Sequence, residues 1–128
     1  MSLKDSLRIM VVDDMSTSRA LITQALDEMR ITHVLTSNDG AAALRNLAAN
    51  PVHLVISDFN MPGLDGLGLL EGLRRNASTQ KIGFILITGR ADRAVIDRGK
   101  QLGMNNFIKK PFTAPELKAC IERVTGPL

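Results

Sequence analysis

The chain has no tryptophan or tyrosine, only four phenylalanines and a single cysteine, Cys120, among its 128 residues. One cysteine excludes an internal disulfide and is typical of a reducing compartment. The scarcity of aromatic side chains argues against binding single-stranded nucleic acid by base stacking. No apolar run approaches the roughly 20 residues of a membrane helix, and the start lacks the apolar core of a signal peptide. We therefore expect a cytoplasmic protein that does not enter a membrane.

Charge is present but unevenly distributed. The formal net charge is +3, and residues 90–128 contain eight Lys/Arg against four Asp/Glu. A basic last third suits either nucleic acid or an acidic protein partner. The scarcity of aromatics and the lack of a helix-turn-helix pattern favour the protein partner. At this length we expect one domain, residues 1–128, with its own core.

Short apolar runs alternate with amphipathic segments along the whole chain. The runs are Arg8–Val12, Thr32–Thr36, Val52–Ser57, Ile82–Ile87 and Asn106–Lys109. The helix-like segments are residues 16–29, 39–48, 64–75, 91–102 and 114–124, the last starting with a capping box, Thr113-Ala-Pro-Glu116. Five strands alternating with five helices predict a parallel α/β sheet with helices on both faces.

The composition of the runs predicts the order of the strands. The first, third and fourth runs are almost wholly apolar, as expected for strands covered on both faces. The second and fifth runs are more polar, as expected for edges. This pattern fits the order 2-1-3-4-5 of a flavodoxin-like, doubly wound (βα)5 fold.

Polar residues follow the strands at one edge of this sheet. Asp13 and Asp14 come directly after the first strand, and Asp58 ends the third. The carboxyl ends of parallel strands are where such sheets bind ligands. Three carboxylates repel one another unless a hard cation such as Mg²⁺ binds between them. Thr88 and Lys110, at the ends of the fourth and fifth strands, complete a group suited to phosphoryl transfer.

Each of these residues also has an ordinary explanation. An Asp-Asp pair after a strand is often a solvated turn, and a threonine at a strand end is often only a β-branched strand residue. The ordered combination, with every member at a carboxyl end, is what favours a phosphoryl-transfer site.

Four motifs, in order, closely resemble the receiver domains of bacterial two-component response regulators, in particular the chemotaxis type. They are Val11-Val-Asp-Asp-Met-Ser-Thr-Ser-Arg19, Ile56-Ser-Asp-Phe-Asn-Met-Pro-Gly-Leu-Asp-Gly66, Thr88-Gly89 and Lys110-Pro-Phe112. The resemblance implies that a sensor histidine kinase donates a phosphoryl group to Asp58. It also implies that Asp14, Asp58 and the main-chain carbonyl of Asn60 bind Mg²⁺ directly, with Asp13 acting through water.

The resemblance further implies a switch. Thr88 and Lys110 would each bind a phosphoryl oxygen, and the Lys110–Pro111 bond would be cis. Phe107 would move inward with Thr88 and change the face formed by the fourth helix, fifth strand and fifth helix. Without the motifs, Phe107 would be interpreted equally well as a core residue of an edge strand.

Two positions are candidates for tuning the lifetime of the phosphorylated state. Asn60 lies two residues after Asp58, and Arg90 lies two residues after Thr88. In receiver domains the residues at these two positions flank the path of the water that hydrolyses the acyl phosphate. A cation at position 90 would pair with the phosphoryl group or exclude water. Arg90 reads equally well as a solvated residue at the start of a helix.

Several alternatives stay open. The expected output partner is a flagellar motor switch protein or another acidic segment, but a phosphate sink, a phosphorelay receiver or one excised from a longer regulator fits the same motifs. A small phosphatase with an aspartyl nucleophile is the enzymatic alternative, disfavoured because it characteristically has Asp-x-Asp where this chain has Asp58-Phe-Asn60. We expect a monomeric phosphoacceptor switch rather than an enzyme; it would catalyse phosphoryl transfer from its donor onto itself and lose the phosphoryl group slowly. Gly66, Gly68 and Gly72 within one predicted helix indicate either close packing or a soft helix.

Overall fold

The computed structural model describes residues 3–89 and 93–128. After a short 3-10 turn, Leu3–Asp5, strands and helices alternate. The strands are β1 Arg8–Val12, β2 His33–Ser37, β3 Leu54–Asp58, β4 Gly83–Thr88 and β5 Asn106–Lys109. The helices are α1 Ser16–Glu28, α2 Gly40–Ala49, α3 Gly66–Arg75, α4 Arg93–Gln101 and α5 Ala114–Thr125. Within the described part of the chain, no helix has the length and apolarity needed to cross a bilayer.

The five strands form one parallel sheet in the order β2-β1-β3-β4-β5. Both the flavodoxin-like fold and the strand order predicted from composition are therefore confirmed. All five residues of β3 are buried, whereas the edge strands β2 and β5 contain none. The polar edges and apolar centre thus follow the number of faces that each strand buries.

Two apolar clusters, one on each face of the sheet, form the core. Alternate residues of β1 divide between them, with Ile9 and Val11 in the cluster that includes α1 and α5. Met10 and Val12 belong to the cluster that includes α2 and α3, against which Val95 of α4 also packs. This division follows from the alternation of strand side chains between the two faces of the sheet.

Side-chain caps mark the starts of α2, α3 and α5, whereas α1 starts without one. The predicted capping box is present, with Thr113 Oγ1 accepting a hydrogen bond from the Glu116 N–H at 3.2 Å. Asp65 caps α3 by accepting from the Gly68 N–H at 2.8 Å. The sequence pattern placed this helix start at residue 64, two residues early, because the apolar Leu64 continues the helical periodicity but precedes the cap.

Candidate functional site

The carboxyl ends of β1 and β3 bring together the three predicted aspartates. The two strands are neighbours, with Val12 opposite Ser57, so the residues that follow Val12 lie beside Asp58. One carboxylate oxygen from each of Asp13, Asp14 and Asp58 lies within 4.8 Å of the others. Among the described residues the sequence prediction of a shared acidic cluster is therefore correct.

The surroundings of this cluster suit a hard cation. Asp13 is fully buried, and its Oδ1 accepts a hydrogen bond from the Met15 N–H at 3.0 Å. Its Oδ2 is the buried side-chain oxygen that has no hydrogen-bond partner within the described ranges. Asp58 is 6% exposed, while Asp14 is open to solvent. A buried, unsatisfied carboxylate oxygen beside two further carboxylates is the donor set that Mg²⁺ prefers.

Lys110 supplies the positive charge of the cluster. Its Nζ lies 3.1 Å from Asp58 Oδ1 and 3.9 Å from Asp13 Oδ2. The Lys110–Pro111 peptide bond is cis, as the resemblance implied. The Lys110 N–H donates to the Thr88 carbonyl at 2.8 Å, which joins the end of β5 to the end of β4.

Burial dominates the electrostatics of Asp58. It raises the pKa of the Asp58 carboxyl above its usual range because the charged form loses water. The hydrogen bond and charge of Lys110 oppose this shift, and repulsion from Asp13 and Asp14 adds to it. Loss of solvation together with like-charge repulsion therefore means that a cationic partner stabilises the ionised form of Asp58.

The remaining predicted residues fall at the rim or behind the cluster. Thr88 is buried at the end of β4, and Asn60 is exposed just after β3. Phe107 lies on β5 opposite Leu86, half-buried against the α2–α3 cluster. Arg90 lies outside the described residues.

Gly66, at the start of α3, lies directly against the backbone of Asp58. A Cβ built there would be 2.6 Å from the Asp58 carbonyl oxygen and 2.8 Å from Leu86 Cδ1. The Gly66 N–H donates to the Phe59 carbonyl at 3.0 Å. Of the two readings of the glycines, close packing therefore holds at Gly66, which lets α3 approach the end of β3.

One contact was missed by the sequence reasoning. Ser18, in the first turn of α1, accepts a hydrogen bond from Lys110 Nζ at 3.0 Å. The two residues also line a groove of about 540 Å³ between α1 and the loop after β5, with Met15, Leu21 and Phe112 on its apolar walls. Ser18 belongs to the first motif, but no local sequence pattern indicates its contact with Lys110, because the two residues are 92 positions apart in the chain.

Comparison with known sequences shows the family of this chain. The sequence model of the family described as “Response regulator receiver domain” matches residues 9–122. The “Probable chemotaxis protein CheY” of Rhizobium etli is 43% identical over 128 residues, covering 100% of this chain and 99% of that protein.

Solved structures agree with the fold. Vibrio cholerae chemotaxis protein CheY4 superposes with a TM-score of 0.86 at 24% identity, covering 92% of this chain and 98% of that one. The receiver domain of a Pseudomonas aeruginosa sensor histidine kinase, whose structure has a magnesium ion in its active-site cleft, gives 0.85 at 25% identity, covering 94% and 98%.

Proposed function

Because the chain belongs to the response regulator receiver domain family, whose members are phosphorylation-type switches, we propose that Asp58 accepts the phosphoryl group from a histidine kinase. The observation that carries this proposal is the convergence of three carboxylates and Lys110 at one sheet edge. We further propose that residues 1–128 act as one cytoplasmic, monomeric receiver domain.

The chemistry follows from the positions of the side chains. A carboxylate oxygen of Asp58 forms the O–P bond while the bond between phosphorus and the donor's imidazole nitrogen breaks. The electron pair of that bond passes to the imidazole, which takes up a proton. Lys110 neutralises charge on the transferred group, and the Thr88 hydroxyl donates to another of its oxygens.

Mg²⁺ would bind in the same site. Asp14, Asp58 and the main-chain carbonyl of Asn60 would hold Mg²⁺, with Asp13 acting through water. The bound ion supplies the charge neutralisation that lets the three carboxylates and the phosphoryl oxygens occupy one pocket. The unsatisfied Asp13 Oδ2 supports this assignment because it lacks a donor that a metal-bound water provides.

Phosphorylation would reach a partner through the α4-β5-α5 face, with Thr88 and Phe107 as the moving residues. The exposed charges of this face are largely basic, including Lys109, Lys118 and Arg123, which supports an acidic partner segment. The names of the CheY relatives favour a role in chemotaxis, and the resemblance to chemotaxis receivers implies a flagellar motor switch protein as the partner. A phosphate sink or phosphorelay receiver would use the same site with a different output.

The test is the intact mass of the chain after incubation with Mg²⁺ and acetyl phosphate. We expect one base-labile phosphoryl adduct, its absence from Asp58→Asn, and its retention in Asp65→Asn, which alters a helix cap next to the site. An adduct that persists in Asp58→Asn would place the acceptor elsewhere. Absence of any adduct, together with no binding of beryllofluoride, would reject the proposed function.

A further inference from the structure

The ammonium group of Lys110 is held from two sides. Its Nζ lies 3.1 Å from Asp58 Oδ1 and donates a hydrogen bond to Ser18 Oγ at 3.0 Å. The distance to Asp13 Oδ2, 3.9 Å, is too long for a hydrogen bond. An ammonium has three N–H donors, so these contacts direct two of them and leave the third for an incoming oxygen.

We propose that Ser18 is a positioning residue for phosphoryl transfer, which fixes the ammonium of Lys110 beside Asp58. This inference rests on the proposed phosphorylation of Asp58. The ammonium of a lysine is carried on a flexible four-carbon stem, and the Lys110 side chain is 30% exposed. The hydroxyl of Ser18, anchored in the first turn of α1, removes much of this freedom before the donor arrives.

The effect on rate follows from preorganisation. A cation that is already in place when charge develops on the transferred oxygens stabilises the transition state without first being reoriented. Without the hydroxyl, the stem of Lys110 samples the adjoining groove, and the ammonium must be recruited in each transfer. Because Asp58 still attracts Lys110, the loss is partial.

The experiment compares Ser18→Ala with Ser18→Thr, which retains a hydroxyl, and with Ser16→Ala, an exposed serine in the same turn. We expect the rate constant for phosphorylation by acetyl phosphate to fall about three- to tenfold in Ser18→Ala, as for loss of one partly exposed charge-assisted hydrogen bond. Ser18→Thr should restore most of the rate, and Ser16→Ala should leave it unchanged.

A second readout does not depend on phosphorylation. In the metal-free protein, the ¹⁵N order parameter of the Lys110 ammonium, assigned by its loss in Lys110→Arg, should fall in Ser18→Ala. The proposal requires both changes, and the absence of either one overturns it. If the parent chain itself takes no phosphoryl group, the proposed function has failed; if the parent is phosphorylated and Ser18→Ala behaves like it, only the role of Ser18 has failed.

Discussion

Asp13 and Asp58 are acidic side chains in places where a folded protein normally puts apolar ones. Burying a carboxylate costs free energy unless hydrogen bonds or opposite charge replace the lost water. Lys110 partly does this for Asp58, but Asp13 Oδ2 has no hydrogen-bond partner among the described groups. The folded state therefore gains more from a divalent cation than the unfolded chain does.

We predict that Mg²⁺ stabilises the protein against urea and that Asp14→Asn removes most of this effect. At a concentration about ten times its Kd, a ligand specific for the folded state adds about 1.4 kcal/mol to the free energy of unfolding. Circular dichroism is the suitable signal because the chain has no tryptophan or tyrosine. Asp27→Asn, an exposed change on α1, is the matched control, and equal stabilisation of both variants would contradict the assignment of Asp14.

Cys120 shows a different consequence of burial. Packed on α5 at 7% exposure, its thiol has a pKa raised to about 11 because burial disfavours the thiolate. Above the ordinary thiol pKa, the unfolded chain releases this proton while the folded chain retains it. Ionisation therefore favours the unfolded state between about pH 9 and pH 11.

The predicted result is that the parent loses roughly 1–2 kcal/mol more stability than Cys120→Ala between pH 8 and pH 10.5. The comparison is a difference between two chains, so the titration of lysines cancels. Cys120→Ala is expected to be less stable at pH 8 because it leaves a small cavity. Stability curves that fall in parallel would show that the thiol is not protected by the fold.

At the scale of elements, local sequence patterns predicted most of the strands and helices. The bounds of β1 and β5 agree with those predicted, because continuous apolar or β-branched runs ended at clear polar residues. The predicted bounds of β2 were one residue early, because the β-branched Thr32 has a high strand preference but precedes the strand, whereas Ser37, with a lower one, ends it. Packing between distant elements was not predictable: Arg74 donates to the carbonyls of Ile82 and Gly103, a contact that no local pattern indicates.

The approach of α3 to β3 gives a prediction about Gly66. We expect Gly66→Ala to lower the free energy of unfolding by about 1–3 kcal/mol, as overpacking does, and to slow phosphorylation of Asp58. The added methyl group would meet the Asp58 carbonyl oxygen and the Phe59 backbone, which cannot rotate away. Urea unfolding and the acetyl phosphate reaction measure the two effects.

Gly68→Ala is the matched control in the same helix. Its added methyl group would meet the Cδ1 atom of Leu64, the end of a flexible side chain. Replacing glycine by alanine within a helix is worth up to about 1 kcal/mol, so this variant should be neutral or slightly stabilised and fully reactive. Similar losses in both variants would indicate that α3 as a whole, rather than its contact with Asp58, limits the protein.

The grouping of the candidate site residues was predictable because strand ends can be located from local sequence patterns. A parallel sheet places the carboxyl ends of its strands together, independently of the connecting loops. Every predicted site residue is either the last residue of a strand or follows one within two residues: Asp13, Asp14, Asp58, Thr88 and Lys110. The contact of Ser18 with Lys110 depends instead on how α1 lies over the loop after β5. That arrangement is set by the packing of α1 against α5, which sequence periodicity does not determine.

For the whole molecule, the proposed function requires that a charge added at Asp58 alter a distant face. Thr88 and Leu86 point to the same side of β4, and Phe107 lies opposite Leu86 on β5. Phe107 is also joined to α5, since its carbonyl accepts from Cys120 Sγ at 3.7 Å. In the proposed switch, a movement of Thr88 toward the phosphoryl group would open space beside the half-buried ring of Phe107, whose backbone carbonyl is bonded to α5.

The four phenylalanines allow this coupling to be observed directly. With Mg²⁺ and beryllofluoride, which mimics the phosphoryl group, the ¹⁹F or ¹³C signal of a labelled Phe107 should shift in the parent and stay unchanged in Asp58→Asn. Phe59 follows Asp58 directly and should shift through proximity alone, whereas Phe84, fully buried in the sheet, should shift little. Coupling of about 1–3 kcal/mol is enough to change the population of the Phe107 rotamers detectably. A shift of Phe59 without one of Phe107 would mean that the phosphoryl mimic binds but its effect does not reach β5, so that the output would have to leave the molecule by another surface.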